Sequence, residues 1–487
     1  MQQPSSSPYD QYETVIGLEV HVQLATATKA FCADDARFGG EPNTRVSPVS
    51  LGHPGALPRL NRRQVAYAVR LALALNSEVQ LHNTFDRKNY FYADLPKGYQ
   101  LTQDQNPICR GGYFRLRLPE GERLVRIHHV HMEEDAGKSM HDSDDAYSYI
   151  DLNRAGVPLL EIVTEPDLRS AEEVDAFMTG MRQLVRYLGI SDGNMQEGSL
   201  RCDCNVSVRR RGETRLGNRC EIKNLNSMRY ARRAIEYEVK RQIDLIEAGG
   251  RVAQQTLNFD PATGVTSPLR DKEDAHDYRY FPDPDLPPVV LTAAEVDAAR
   301  AALPPLPWAL YQEFVDAYGL SDYDAGLLTE ELPVAKLYKA VCAYTPHHKA
   351  AANLIINKIL PWRAEQPEES RQFPVSAPQL ARFIGLIEDD KKVSASAAYQ
   401  HLLPALMQQP DAEPEKLAAS LGLIQTADAD FLLGLAQEIV AAFPDKAEAY
   451  RKGKKGLLGF FMGELMKRSK GQAEPKSASE ALERLLG

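Results

Sequence analysis

The sequence contains little cysteine and no long apolar run. Six cysteines among 487 residues are too few to suggest the disulfide framework of a small secreted protein. No apolar run reaches the length that a membrane-spanning helix needs. The first ten residues carry neither lysine nor arginine, so we expect no secretory signal or transit peptide there. These features predict a cytoplasmic protein without membrane contact.

Common nucleotide-binding and protease motifs are missing as well. The chain has no G-x-x-x-x-G-K-[ST] loop, no dinucleotide fingerprint, no H-E-x-x-H pair and no set of protein-kinase signatures. Any chemistry on ATP would therefore have to use carboxylates and a metal ion on another scaffold.

The chain also lacks an excess of positive charge. Its formal charge of −10 argues against a wholly basic surface that coats nucleic acid. One local exception lies near the end, where residues 451–470 contain seven lysines or arginines and one glutamate. Such a patch is either the solvated face of a helix or a contact for a polyanion, and charge alone leaves both interpretations open.

The texture of the sequence predicts an α+β protein in several parts. After a flexible N-terminus at 1–10, residues 11–292 mix alternating segments with Gly, Pro and Asn turns, which indicates a sheet with interspersed helices. Residues 293–409 are rich in Ala and Leu at helical spacing and predict a helical domain. A proline-containing hinge then leads to a small helical module at 410–487.

Three segments alternate apolar and polar residues as half-buried strands do. They are TVIGLEVHVQL (14–24), SLRCDCNVSV (199–208) and RCEIKNLNS (219–227). Water could cover their polar sides, but this succession of Glu, His, Asp and Asn favours a cleft. The polar sides carry Glu19, His21, Gln23, Arg201, Asp203, Asn205, Glu221 and Lys223.

The stretch HMEEDAGK (131–138) places three carboxylates side by side. A solvated turn is the simplest interpretation, because acidic runs usually lie on the surface. Glu161, however, lies in the apolar run PLLEIVTEP (158–166), where an unpaired charge would be costly to bury. Carboxylates on separate segments fit the hard oxygen ligation of Mg²⁺, completed by nucleotide phosphates. The candidates are Glu19, Glu134, Glu161 and Asp203.

At this point the sequence resembles a known family. The runs that carry the resemblance are YETVIGLEVHVQL, FDRKNYFYADLPKGYQLTQ, MEEDAGK, DLNRAGVPLLEIVTEPD, GSLRCDCNVSV, EIKNLNS and KEDAHDYRYFPDPDLPP. Together they are similar to the B subunits of the aspartyl/glutamyl-tRNA amidotransferases, over nearly the whole chain. The resemblance implies a cradle domain with a glutamine-synthetase-like antiparallel sheet, then a helical domain and a small helical tail that contacts tRNA.

The resemblance also implies an activity and partners. ATP would activate the side-chain carboxylate of Glu misattached to tRNA(Gln), or of Asp misattached to tRNA(Asn), as an acyl phosphate that ammonia then attacks. The chain has neither the glycine- and serine-rich signature of amidases nor a convincing cysteine nucleophile. Ammonia would therefore come from an amidase, the A subunit, and a small C subunit would complete a heterotrimer.

Residue roles follow from the same resemblance. The metal and phosphate cluster would comprise Glu19, His21, Glu134, Glu161 and Asp203. The catalytic candidates are Glu134, Lys138, Glu221, Lys223 and Asn224. Candidate contacts to ATP or substrate are Lys97, Arg154 and Asn205. The residues assigned to tRNA binding are Lys452, Lys454, Lys455, Lys467 and Arg468.

Histidine is an unusual ligand for Mg²⁺, so His21 could instead hydrogen-bond phosphate or hold Glu19. The stretch NYFYADLPKGYQ could stack on an adenine or could simply pack its own rings.

One departure from the family pattern concerns zinc. Many members carry two cysteine pairs near the N-terminus, whereas here Cys32 stands alone, with Asp34, Ser47 and Ser50 at the other ligand positions. One thiolate with a carboxylate and two hydroxyls is a poor structural zinc site. We expect Mg²⁺ and ATP as cofactors and no structural zinc.

Two alternatives use the same residues. A metal-dependent nuclease or phosphohydrolase would also need clustered carboxylates and a basic tail, and it would cleave tRNA without ATP. A noncatalytic tRNA-binding scaffold would use the carboxylates only as partners for Arg and Lys. The sequence does not distinguish the two tRNA substrates, because positive charge senses phosphates rather than bases.

Overall fold

The chain folds into two compact units, Met1–Trp308 and Ala309–Gly487. The structure, a computed structural model, describes residues 7–140, 147–225, 227–269, 278–389, 391–425, 429–469 and 473–487. Of the N-terminus predicted to be flexible, residues 1–6 lie outside this description, and Pro8–Gln11 forms a short 3₁₀ helix. The predicted domain boundaries after residues 10, 292 and 409 stay predictions.

The strands that the structure describes all lie in the first unit. They are β1 Tyr12–Gln23, β2 Glu78–Val79, β3 His82–Asn83, β4 Asp86–Asn89, β5 Tyr99–Thr102, β6 Cys109–Arg110, β7 Tyr113–Leu118, β8 Gly121–Glu134, β9 Lys138–Met140, β10 Tyr149–Asp151, β11 Pro158–Thr164, β12 Leu200–Arg210, β13 Cys220–Leu225, β14 Gln255–Asp260, β15 Val265–Pro268, β16 Phe281–Pro282 and β17 Val289–Val290. The helices of this unit are α1 Arg62–Ala74, α2 Ala171–Tyr187, α3 Met228–Glu247 and α4 Ala293–Ala301.

Most strands join one large sheet in the order β15-β14-β13-β12-β1-β11-β8-β6-β2, with β7 also paired to β8. The central pairs are antiparallel, as expected. One pair, β13 with β14, is parallel, because α3 connects these strands and returns the chain to the same end of the sheet. The α+β fold class is confirmed, with a mixed rather than purely antiparallel sheet.

The sheet has one apolar and one polar face because its strands alternate. On β1, the side chains of Ile16, Leu18, Val20 and Val22 are at most 1% exposed. They join one hydrophobic core with α1, α2 and α3, of which α1 packs against β8 and α3 against β12. Helices on the apolar face leave the other face available for the polar side chains that the sequence predicted.

The second unit is helical. Its elements are α5 Pro307–Asp316, which begins at the border of the first unit, α6 Asp322–Leu328, α7 Leu332–Cys342, α8 His348–Leu354, α9 Leu360–Ala364, α10 Ala377–Glu388, α11 Ala395–Ala397, α12 Leu403–Gln408, α13 Pro414–Ser420, α14 Ala429–Ala442, α15 Pro444–Arg451, α16 Leu458–Arg468 and α17 Pro475–Leu486. The last four helices pack around buried Leu432, Ile439, Phe461 and Leu482. Among the described residues, no helix has the length and apolar character needed to cross a membrane.

Candidate active site

The register of five neighbouring strands brings the predicted polar residues together. On β1, Glu19 lies opposite Asp203 of β12, and His21 lies opposite Glu161 of β11. Glu161 in turn faces His131 of β8. Residues far apart in the chain therefore form a continuous band across the polar face of the sheet.

One part of this band, which we call the histidine–glutamate group, consists of His21, His131, Glu133 and Glu161. The Glu161 carboxylate lies 3.3 Å from Nε2 of both His21 and His131, and Glu133 lies 3.6 Å from the same two nitrogens. Ligand atoms of His21, Glu133 and Glu161 lie within 4.8 Å of one another. This spacing lets a single cation contact all three side chains.

Charge in this group is strongly coupled. Although burial disfavours an imidazolium ion, the Glu161 and Glu133 carboxylates raise the pKa of His131 to about 10. Burial also disfavours the charged form of His21, but the Glu161 and Glu133 carboxylates raise its pKa. Burial also works against ionisation of Glu161, but His131 and His21 hold its pKa well below the usual range. Without a metal ion, a protonated His131 therefore lies beside the Glu161 and Glu133 carboxylates.

A second part of the band, which we call the carboxylate group, consists of Glu19, Asp203 and Glu221, again with oxygens within 4.8 Å of one another. Lys223 lies 3.2 Å from Asp203 and 2.6 Å from Glu221, and Asn205 donates a hydrogen bond of 3.0 Å to Glu19. Three carboxylates thus share one ammonium ion, which leaves excess negative charge.

The electrostatics of the carboxylate group reflect that excess. Burial, followed by the charges of Glu161 and Glu221, raises the pKa of Glu19. Burial opposes the ammonium ion of Lys223, but the Asp203 and Glu221 carboxylates nonetheless raise its pKa. A group of oxygen ligands with surplus negative charge is chemically suited to a hard divalent cation.

The three adjacent acids of HMEEDAGK do not act as one unit. Glu133, Glu134 and Asp135 are each at most 4% exposed, so the stretch is not a solvated turn. Glu133 belongs to the histidine–glutamate group, whereas Glu134 forms a salt bridge with Lys97 and accepts a hydrogen bond of 3.0 Å from the backbone N–H of Leu101. Glu134, which the sequence assigned to the metal cluster, therefore lies in neither ligand group.

Asp135 has a third set of partners. Its carboxylate lies 2.9 Å from the Arg201 guanidinium and accepts a hydrogen bond of 2.5 Å from Gln23. Burial opposes its ionisation, but Arg201 and Arg154 lower the pKa of Asp135. Two side chains from the predicted polar faces, Gln23 and Arg201, thus hold the loop that follows β8.

Two further residues predicted from the sequence, Arg154 and Lys138, belong to neither of the two groups. Arg154 donates hydrogen bonds to the backbone oxygens of Ala136 and Gly137, so it braces the loop after β8. Lys138 is exposed at the start of β9 and, among the described residues, forms no ion pair with a carboxylate. Asn224 belongs to β13, but its side chain lies outside the described part of the structure.

Glu133, His131 and Lys88 were not predicted from the sequence as residues of the site. The alternation of His129, His131 and Glu133 with Val130 and Met132 along β8 is the signal that identifies the first two. Lys88 on β4 lies 4.8 Å from the ring centroid of Tyr278. Burial opposes its charge, but the Glu133 and Glu161 carboxylates contribute to a raised pKa of Lys88.

The aromatic stretch beside this site both packs its own rings and exposes others. Tyr90 contacts the rings of Tyr92 and Tyr278. Phe91 lies over Gly98, where a Cβ would come within 3.1 Å of its ring, yet its side chain is 86% exposed. The stretch therefore contains both a packed ring, Tyr90, and a solvent-exposed ring, Phe91.

Hydrogen bonds hold the segment from Cys32 to Asp34 against the segment from Ser47 to Ser50. Ser50 donates a hydrogen bond of 2.5 Å to Asp34, whose carboxylate also accepts from the backbone N–H of Ser47. The Cys32 sulfur lies 3.5 Å from the Ser50 hydroxyl. The ammonium ion of fully buried Lys29 donates to the backbone oxygen of Arg45 at 2.7 Å. The expectation of no structural zinc stays a prediction.

The basic residues of the C-terminal helices lie on the surface, whereas Phe461 is completely buried. Lys452 pairs with Glu448 at 2.5 Å, and Lys455 lies 4.1 Å from the ring centroid of Tyr450. The exposed members of the predicted tRNA-binding set are Lys452, Lys454, Lys455, Lys467 and Arg468.

The fold and the site together define an α+β protein whose sheet presents two adjacent groups of side chains spaced so that each could hold a metal ion, followed by a helical C-terminal unit. Residues 14–297 match the family described as the GatB/GatE catalytic domain, and residues 336–486 match the family described as the GatB domain. The chain belongs to the family of B subunits of the aspartyl/glutamyl-tRNA(Asn/Gln) amidotransferases. The resemblance seen in the sequence is thereby confirmed.

Full-length relatives show the same membership. A protein of Myxococcus xanthus, named as the B subunit of an aspartyl/glutamyl-tRNA(Asn/Gln) amidotransferase, is 45% identical over 480 residues, 99% of this chain and 100% of the relative. Proteins of the same name from Anaeromyxobacter sp. strain K and Solidesulfovibrio magneticus are 47% and 46% identical, over 99% and 98% of this chain and the full length of each relative.

Proposed function

We propose that this chain is the activating component of a tRNA-dependent amidotransferase. It would phosphorylate the side-chain carboxylate of Glu on tRNA(Gln), of Asp on tRNA(Asn), or of both, and would then complete its amidation. The observation that carries the proposal is the pair of ligand groups on one sheet face, in a chain whose relatives are named as the B subunit of this enzyme.

The chemistry requires activation because a carboxylate resists attack by ammonia. In the proposed first step, a carboxylate oxygen of the substrate attacks the γ-phosphorus of ATP, and ADP leaves. In the second step, ammonia attacks the carbonyl carbon of the acyl phosphate, phosphate leaves with the bonding electrons, and the nitrogen loses a proton. The product is the side-chain amide of Gln or Asn.

The carboxylate group fits Mg²⁺ best, because it offers three hard oxygens with surplus negative charge. The histidine–glutamate group offers two carboxylates and, once His21 has lost its proton, an imidazole, which is an unusual ligand for Mg²⁺. When bound, Mg²⁺ would neutralise charge on the transferred phosphoryl group. Of the sequence-derived set, we keep Glu19, His21, Glu161 and Asp203 as ligands and add Glu221 and Glu133, and we assign Glu134 to holding Lys97.

The lysines around the band would supply fixed positive charge. Lys223 lies beside Asp203 and Glu221 of the carboxylate group, and, against the effect of burial, Glu133 and Glu161 help to raise the pKa of Lys88. Ammonium ions that are already in position cost little reorganisation as negative charge develops on the phosphoryl oxygens. Asn205 would orient Glu19 through its hydrogen bond. Lys97, Lys138, Arg154 and Asn224 stay candidates for contacts to ATP or to the activated acid.

The proposed partners follow from the same reaction. The relatives are named as B subunits, which describes one component of a larger enzyme. Ammonia would arise on an amidase, the A subunit, and a small C subunit would complete the heterotrimer. A closed path between these proteins would keep ammonia from being protonated in solvent. The exposed lysines and arginine of the C-terminal helices would contact tRNA phosphates.

An assay that bypasses the amidase tests the proposal. The heterotrimer is mixed with misacylated tRNA, Mg²⁺, ATP and ammonium chloride, and the amino acid released from tRNA is analysed for Gln or Asn. We expect amidation that requires ATP and is lost in Glu161→Gln and Asp203→Asn while tRNA binding persists. Cleavage of tRNA without ATP would support a nuclease instead, and amidation that survives both substitutions would support a scaffold.

A further inference from the structure

A groove of about 820 Å³ lies within the first unit between α1 and the chain from Leu286 to Ala302. Helix α1 packs on the apolar face of the sheet through Ala68, Leu71 and Ala72, and neighbouring residues of the same helix, Arg62, Val65 and Ala66, line the groove. The groove is therefore distinct from the polar face that carries the two ligand groups.

The floor of the groove is aliphatic. It is lined by Leu60, Val65, Val69, Leu286, Val289 and Leu291. Val290 of β17, at the edge of this surface, is 67% exposed, and such an apolar side chain gains free energy when a partner removes it from water. These six side chains form one continuous lining rather than scattered surface positions.

The rim of the groove is positively charged. Four arginines, Arg59, Arg62, Arg63 and Arg70, accompany one acid, Glu295. The Glu295 carboxylate is occupied in capping α4, where it accepts from the backbone N–H and the hydroxyl of Thr292. In the part of the chain that the structure describes, no salt bridge engages Arg59, Arg62 or Arg63. This concentration of positive charge stands out in a chain with a net charge of −10.

We propose that this groove binds an acidic, amphipathic segment of a partner protein in the same enzyme. Apolar side chains of that segment would cover the aliphatic floor, and its carboxylates would pair with the arginines of the rim. The proposal rests on the proposed function in one respect, because it takes the partner from the multisubunit enzyme. It adds the surface on which that partner docks and the chemistry of the docking segment.

The lining favours a protein segment over RNA. Arginines could contact phosphates, but the side chains that line the groove include no aromatic ring on which an unpaired base could stack. An aliphatic floor buried beneath a sugar–phosphate backbone would gain little, whereas the apolar side of a helix or strand fits it directly.

The test measures assembly rather than catalysis. The full-length chain is labelled with a fluorophore and titrated with the purified amidase, the purified small partner, and both together, without ATP or tRNA. The groove variants are Val290→Asp and the double variant Arg59→Glu/Arg62→Glu. The matched controls are Val265→Asp, at a partly exposed position on β15 that is 36% exposed, and Arg229→Glu, at an exposed position on α3.

We expect each groove variant to weaken assembly at least about tenfold, while the controls bind as the unchanged chain does. Added salt should weaken assembly of the unchanged chain more than that of the double variant, since salt screens the arginine–carboxylate pairs. A melting temperature equal to that of the unchanged chain would show that each variant is folded.

Three results would overturn the proposal. Unchanged affinity in both groove variants would remove the groove from the interface with either partner. Weakened tRNA binding with intact assembly would assign it to RNA. A dimer of the chain alone that dissociates in Val290→Asp, seen by sedimentation, would assign it to a second copy. The assembly test uses no ATP and is therefore independent of the amidation assay. If the unchanged chain assembles normally but its complex does not amidate tRNA, that result counts against the proposed function and not against the docking groove.

Discussion

Glu133 and Glu134 are consecutive residues whose carboxylates have separate environments on opposite sides of β8. Glu133 lies beside His21 and His131 on the polar face, whereas Glu134 lies beside Lys97 and the backbone of Leu101. Strand alternation produces this separation. The two side chains have the same chemistry and similar burial, so any difference between their variants reports on location.

Glu133→Gln should impair metal binding without unfolding the protein. The substitution keeps the size of the side chain but removes one of the two carboxylates shared by His21 and His131. We expect Mn²⁺, used as a spectroscopic substitute for Mg²⁺, to bind the histidine–glutamate group about tenfold or more weakly by electron paramagnetic resonance. Glu134→Gln is the matched control, and equal loss of Mn²⁺ in both variants would contradict the assignment.

Glu134→Gln should instead lower stability. The change leaves the largely buried Lys97 ammonium ion, 11% exposed, without its charged partner. Removing one member of a buried pair costs about 3 kcal/mol, so chemical denaturation should show a loss of that order. The double variant Glu134→Gln/Lys97→Met removes both charges and should recover much of the loss. A single variant as stable as the unchanged chain would mean that the pair contributes little.

The metal-free protein should lose stability in alkaline solution. Against the effect of burial, Glu161 and Glu133 raise the pKa of folded His131 from 6.5 to about 10. The folded chain therefore holds this proton more tightly than the unfolded chain, and the stabilisation is complete below about pH 6.5 and lost as pH rises towards 10. Melting temperatures in EDTA should fall across this range, and fall less in His131→Gln. The same slope in both proteins would contradict this coupling.

The basic C-terminal helices should contribute to tRNA affinity through phosphates. Replacing Lys454 and Lys455 by alanine removes two exposed charges, and the slope of log affinity against log salt should decrease by about 2 if each contacts one phosphate. Lys416, 82% exposed on α13, provides the control substitution Lys416→Ala. Identical salt slopes in the double variant and the unchanged chain would exclude these two lysines from the interface.

Much of the site follows from alternation along strands. The segments 14–24, 199–208 and 219–227 correspond closely to β1, β12 and β13, so the predicted positions of Glu19, His21, Asp203 and Glu221 on polar faces agree with the structure. Glu161 also has the partners that its apolar surroundings required, His21 and His131.

Other features depend on tertiary contacts that no local pattern encodes. Glu134 pairs with Lys97, which is 37 residues away, and Lys88, whose pKa Glu133 and Glu161 help to raise against burial, lies on a different, smaller sheet. The run Glu133–Glu134–Asp135 suggested one acidic cluster, although a strand must send neighbouring side chains in opposite directions. The parallel pairing of β13 and β14 likewise depends on how α3 packs, which the sequence does not specify locally.

If this sheet activates a side-chain carboxylate by phosphorylation, as we propose, one carboxylate oxygen must end up in the released phosphate. Misacylated tRNA carrying ¹⁸O in the side-chain carboxylate is converted by the heterotrimer with ATP and ammonium chloride, and the released phosphate is examined by mass spectrometry. An acyl phosphate transfers one carboxylate oxygen to phosphate, so we expect one ¹⁸O in each phosphate released with amide formation. Amide formation accompanied by phosphate without ¹⁸O would contradict the account.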